Sequence, residues 1–239
     1  MSIYADSTYR VRGDLEAIHS AQISSLSAPG TWGNGAQRLA IVQEARAARC
    51  ATGIQEATSP PSVEEAELPD AARQVARDLA VKPQVFDRAR YRQAIDNGLT
   101  DASYTEIVGL VSRICNFDVL ARGLGIDMVP LAPAEPGSPT RLRPKEAVQE
   151  DAWVPTIPNG AAGGEIGKEL YGEGHPQPYI IRSLSLVPQE QRAHFELEEA
   201  QYLPLSRFFE FDYQHHESLS RPQVEVVAGR VSALNECFY

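Results

Sequence analysis

The residues best equipped for chemistry are few. The 239-residue chain holds three cysteines, Cys50, Cys115 and Cys237, and five histidines. An odd, sparse set of thiols is no disulfide framework, and the default role of each is a small buried apolar residue. Cys115 fits that role inside IVGLVSRICNF. His215 and His216 are adjacent, without the three- or four-residue spacing that puts two ligands on one helix face. His19, His175 and His194 have no neighbouring cysteine or acidic pattern, so neither a metal nor a cofactor is expected. One pair stands out by its spacing: Glu225 and Cys237, with eleven residues between them. A thiolate is a nucleophile and a carboxylate holds or takes a proton. Along one straight helix twelve residues span roughly 18 Å, too far for proton exchange. The two could cooperate only through residues after a turn back into a helical hairpin. Asn235 suits such a turn, and Cys237 would then open the next helix, where a thiol loses its proton more easily.

What positions these residues reads as helix almost throughout. DLEAIHSAQISSL puts Leu15, Ile18, Ile23 and Leu26 on one side. Asn34 is a cap for NGAQRLAIVQEARAARC, which is rich in good helix formers. The polar gap EATSPPSVEEAELP follows, with Pro60 and Pro61 as breakers. Asp70 starts DAARQVARDLA, Pro83 opens QVFDRARYRQAIDNG, and Gly98 ends it. Thr100 caps DASYTEIVGLVSRICNFDVLARGLG, with Ile107, Leu110, Val111 and Ile114 as its apolar face. Five prolines between Pro130 and Pro144 then forbid regular helix, and Trp153 is expected to pack that extended stretch on a neighbour. IGKELYG, YIIRSLSLV, PQEQRAHFELEEAQYL and RFFEFDYQ resume the helical texture. In the last segment Val224, Val227, Val231, Leu234 and Phe238 form one apolar stripe, as in a buried helix.

The expected fold class is therefore all-α, helices packed on helices. Two helical halves are expected, a domain over 1–126 and a second over 161–239, joined by a proline-rich connector over 127–160. The second half ends on the helix that corresponds, in order, to the second helix of the first. A net charge of −10 repels phosphate backbones and anionic lipid, so nucleic acid and membranes are poor partners. No apolar run reaches membrane-spanning length and the first residues carry no apolar signal core, which predicts a cytoplasmic protein.

PQVEVVAGRVSALNECFY resembles the start of the active-site motif of the AhpD-type alkylhydroperoxidases, in the carboxymuconolactone decarboxylase superfamily. That pattern runs Glu, eleven residues, Cys, two residues, Cys, three residues, His. Glu225 and Cys237 match its first two positions, and Phe238 and Tyr239 fill the pair between the cysteines. LTDASYTEIVGLVSRICNFDVLARGLGI also looks like the closing helix of such a domain. The resemblance covers most of 14–126 and the last twenty residues. It implies an AhpD-like helical bundle in tandem halves, the second incomplete, and a homo-oligomer. It also implies a thiol peroxidase that meets a small hydroperoxide and a thiol reductant protein. In the family a Glu and a His deprotonate the second Cys, which attacks peroxide, and the first Cys resolves the sulfenic acid as a disulfide. Carried over, Glu225 is the relay carboxylate and Cys237 the resolving thiol, both catalytic candidates. The attacking thiol and relay histidine would fall just beyond Tyr239, so this chain alone is expected to be inactive. Cys50 ends its helix similarly, but Gly53 stands where a second Cys would be.

Two other readings compete. A cysteine-independent decarboxylase or isomerase pocket would need acid and base groups facing a cavity. Glu44, Arg46, His19 and Glu106 are the candidates, without a convincing spacing. A helical oligomerisation or binding protein would need apolar surface left uncovered.

Overall fold

The computed structural model describes residues 2–57, 61–63, 65–172 and 175–237. It is all-α. Among the described residues the helices are α1 (Gly13–Ser25), α2 (Gly35–Ala51), α3 (Asp70–Val81), α4 (Arg88–Asp96), α5 (Asp101–Leu124), α6 (Gly164–Tyr171), α7 (Tyr179–Arg182), α8 (Pro188–Gln201) and α9 (Arg221–Leu234). No strand forms there, only isolated bridges from Val148 to Thr156 and from His216 to Leu219.

Two compact units divide the chain, Met1–His194 and Phe195–Tyr239, so the division falls inside α8 and not at the proline-rich stretch. In the first unit α2, α3 and α5 pack on one another. α2 supplies Leu39 and Val42, α3 Val75 and Ala76, and α5 the expected face of Ile107, Leu110, Val111 and Ile114, all buried. The caps follow the sequence. The Asn34 side chain accepts from the Gln37 N–H while Gln37 returns a bond to the Asn34 N–H, and Thr100 and Ser103 repeat that box at α5. Gly98 sits just past α4 at a φ of 99°, in the left-handed region a glycine reaches without strain.

Four expectations are corrected. Pro83 opens only a 3₁₀ turn, Pro83–Val85, and α4 begins at Arg88, where the Asp87 side chain accepts from the Arg90 N–H. YIIRSLSLV is helical only over Tyr179–Arg182. RFFEFDYQ is no helix: a 3₁₀ turn covers Leu205–Arg207, and Phe208, Phe209 and Phe211 are exposed. Trp153 is 37% exposed and so is not the buried anchor of the extended stretch. That work falls to Val129 and Ile157, both buried, and to backbone bonds from Glu135 to Ser27 and from Thr140 to Gly30 at 2.8 and 3.1 Å. Trp32 is the indole that packs, against buried Ala102, Leu186 and Val187. The expected breaker Pro60 lies outside the described residues; Pro61 lies in non-helical chain.

Candidate functional site

α9 carries the two sequence candidates. Ser220 and Gln223 form a capping box at its start. At its other end the Cys237 N–H reaches the Ser232 carbonyl at 3.0 Å and the Glu236 N–H reaches Ala233 at 3.4 Å. This is a Schellman ending, with Glu236 at a φ of 53° where glycine is usual. The expected turn at Asn235 is thus made at Glu236. Cys237 follows the helix, is exposed and is not part of another helix.

The structure does not bring Glu225 and Cys237 together, since one starts the helix and the other lies past its end. Glu225 is held by other residues. The Tyr202 hydroxyl donates to both its oxygens at 2.7 and 2.9 Å, and Arg221 Nε donates to Oε1. Burial alone would raise the Glu225 pKa, but the bonds from Tyr202 and Arg221 outweigh it and hold the carboxyl below its ordinary range. Burial first, then the adjacent Glu225, pushes the Tyr202 phenol up to about 12, so it stays a donor at neutral pH. The apolar stripe is not buried as the sequence suggested. Val227, Val231 and Leu234 are 61%, 51% and 63% exposed, and Phe238 lies outside the described residues.

The first unit holds its charges differently. Arg38 on α2, Glu106 and Arg113 on α5 and Glu190 on α8 are all buried. Arg38 donates to Glu106 and, at 3.0 Å, to Glu190; Arg113 donates to Glu190 at 2.6 Å. Glu106 also accepts the backbone N–H groups of Thr31, Trp32 and Gly33 at 3.1, 2.8 and 2.8 Å. Two arginines and two glutamates balance, which is what burial of four charges requires. Gly30 and Gly109 are glycines for space: a Cβ on Gly30 would overlap Arg38 and Glu106, and one on Gly109 would overlap Glu190. A second buried pair joins Arg46 to Asp118, at 2.7 Å.

The pocket candidates are spoken for. Glu44 accepts from Arg73 and Arg77 at 2.8 and 2.7 Å. His19 is fully buried, shares a 2.6 Å bond with the Tyr4 hydroxyl, and is pushed down to about 4 by burial. Glu106 belongs to the buried cluster, and burial raises its pKa. None of them lines the cleft of about 720 Å³ formed around Asn159, Glu165, Lys168, Tyr171 and His175, nor does Glu225 or Cys237. Burial pushes the Cys115 thiol up to about 11 and raises Cys50, so neither is a thiolate at neutral pH. All three cysteines are free. Among the described residues no three His, Cys, Asp or Glu side chains gather as metal ligands would, and no helix is long and apolar enough to cross a membrane.

Sequence reasoning missed Arg38, Arg113, Glu190 and Tyr202. Arg221 had a signal, its i,i+4 spacing from Glu225. Tyr202 lies 23 residues from Glu225 and had none. No family model, no curated protein and no solved structure matches this chain.

Proposed function

We propose that the chain carries two residues of a thiol-dependent alkylhydroperoxidase site: Glu225 as relay carboxylate and Cys237 as resolving thiol. What supports the reading is the spacing of the AhpD-type motif across one capped helix, with Glu225 near its start and Cys237 just past its C-terminal turn. Glu225 has a side chain 41% exposed and Cys237 is exposed. In the reaction an attacking thiolate takes the outer oxygen of a hydroperoxide, releasing the alcohol and becoming a sulfenic acid. The Cys237 thiol then displaces water from that sulfur to form a disulfide, which a dithiol reductant protein restores. The attacking thiol and the histidine of the motif have no match within these 239 residues. Glu225 and Cys237 therefore act on groups brought from outside them. Three free thiols suit a reducing compartment, and we place the protein in the cytoplasm.

The test is consumption of an organic hydroperoxide, with a dithiol reductant, by the protein purified from its native source. Catalysed loss that disappears in Cys237→Ser is the expected result. Loss equal in the wild type and that variant overturns the reading. The isolated 239-residue chain is expected to show no turnover, with Cys237 reacting with a thiol probe at the rate of an ordinary exposed cysteine.

One observation favours a second reading, an association module that forms homo-oligomers. Phe209, Phe211, Val226 and Leu234 are each more than 60% exposed, and apolar surface on that scale marks contact sites. Light scattering on the wild type and on Leu234→Glu checks it. A monomeric mass for both rejects it.

A further inference from the structure

A glutamate two-fifths exposed on a surface helix ordinarily samples several rotamers in water. Glu225 does not have that freedom, because its two donors are themselves fixed. Arg221 lies one turn before it on α9 and is 7% exposed. The Arg221 Nη2 donates to the Phe208 carbonyl at 3.0 Å and Nη1 to that of Glu210 at 3.4 Å. The guanidinium also stands 5.9 Å above the Phe208 ring. Tyr202 follows α8, and its backbone N–H is tied to the Glu198 carbonyl at 2.8 Å. A carboxylate gripped by a stiff guanidinium on one side and a phenol on the other keeps a constant direction.

We propose that Tyr202 is a positioning residue for Glu225: with Arg221 it aims the carboxylate and reserves it as an acceptor for a protonated partner. The inference rests on the reading of Glu225 as the relay carboxylate. It changes the kind of work that carboxylate does. A general base is tuned upward toward neutral pH by an apolar setting and few donors. Glu225 has the opposite surroundings, a cation and a hydroxyl that both favour its ionised form. Its part in a relay is then to orient a cationic acid, as the buried aspartate of a Ser-His-Asp triad orients its histidine, and not to accept the nucleophile's proton. The groups that face it are Tyr202 and Arg221. The Phe208 and Glu210 carbonyls act behind Arg221, and Glu198 is one turn from Tyr202 on α8.

The experiment is a pH titration of carboxyl-¹³C-glutamate-labelled chain by NMR, wild type against Tyr202→Phe. The Glu225 midpoint is expected below the ordinary glutamate range in the wild type and shifted upward in the variant, whose ring keeps the same packing. An unshifted midpoint overturns the clamp. Should Tyr202→Phe fail to fold, ring-¹³C-tyrosine NMR of Glu225→Gln carries the same test, read at the assigned Tyr202 signal. Its midpoint must move downward from that of the wild type, and no movement overturns the proposal. Hydroperoxide turnover of the native protein separates the two ideas. A shifted Glu225 midpoint with turnover indifferent to Cys237→Ser keeps the clamp and rejects the peroxidase. An unshifted midpoint rejects the clamp whatever the turnover.

Discussion

α2 and α9 are built from the same parts. Each opens on a capping box, Asn34 with Gln37 and Ser220 with Gln223. Each closes on a Schellman turn, the Ile54 N–H reaching Arg49 and the Cys237 N–H reaching Ser232, both at 3.0 Å. Each carries a charged residue twelve positions before its cysteine, Arg38 before Cys50 and Glu225 before Cys237. Their surroundings differ. Arg38 is locked among Glu106, Glu190 and Arg113 under a packed α3 and α5, and Cys50 is kept protonated by burial. Glu225 faces water from a helix whose apolar stripe is exposed. Local signals can write the same helix twice. Only the neighbours decide whether its charge becomes a buried structural tie or stays at the surface.

The strongest way to break this comparison is to cut one charge in each setting. Glu190→Gln leaves two buried guanidiniums short of a partner and should cost about 3–5 kcal/mol. Glu225→Gln removes a partly exposed carboxylate and leaves Arg221 its Phe208 and Glu210 carbonyl acceptors, and should cost about 1 kcal/mol. Urea unfolding of both variants measures the contrast, and equal losses would remove the distinction between the buried cluster and the surface carboxylate. A smaller effect sharpens it at the C-terminal turns. Gly53 holds a φ of 74° with open space around it, whereas Glu236 holds 53° with a side chain. Gly53→Ala should cost about 1 kcal/mol by forcing a Cβ into the left-handed region. Glu236→Gly should relieve a similar strain and lengthen amide protection at the end of α9, read by hydrogen exchange. Slower exchange in Gly53→Ala would contradict the assignment.

Much of the fold was legible because helix signals are local. Asn34 and Thr100 announced themselves as caps, and the 3–4 spacing of Ile107, Leu110, Val111 and Ile114 announced the face that α5 buries. The failures share a cause. Val227, Val231 and Leu234 have the same spacing, yet periodicity says only that a face could be buried, not that a neighbour exists to bury it. A helix is expected over RFFEFDYQ, but its aromatic residues and Asp212 are weak helix formers, and the turn at Leu205–Arg207 and the Arg221 bonds to the Phe208 and Glu210 carbonyls hold its backbone in another form. The Glu225 site was half legible. Arg221 could be read from its i,i+4 spacing; Tyr202 could not, because its approach depends on how the chain folds back after α8.

The sequence by itself determined an all-α chain, the caps at Asn34 and Thr100 and the twelve-position separation of a carboxylate and a thiol. The helices and caps depend on backbone bonds within a few residues. Tertiary structure decided which charges became internal ties, as with Arg38 and Glu190, 152 residues apart. It also decided that Glu225 is gripped by Tyr202 and that the α9 stripe faces water. These outcomes turn on desolvation, which is a property of the assembled neighbours and leaves no mark in the spacing of residues along the chain.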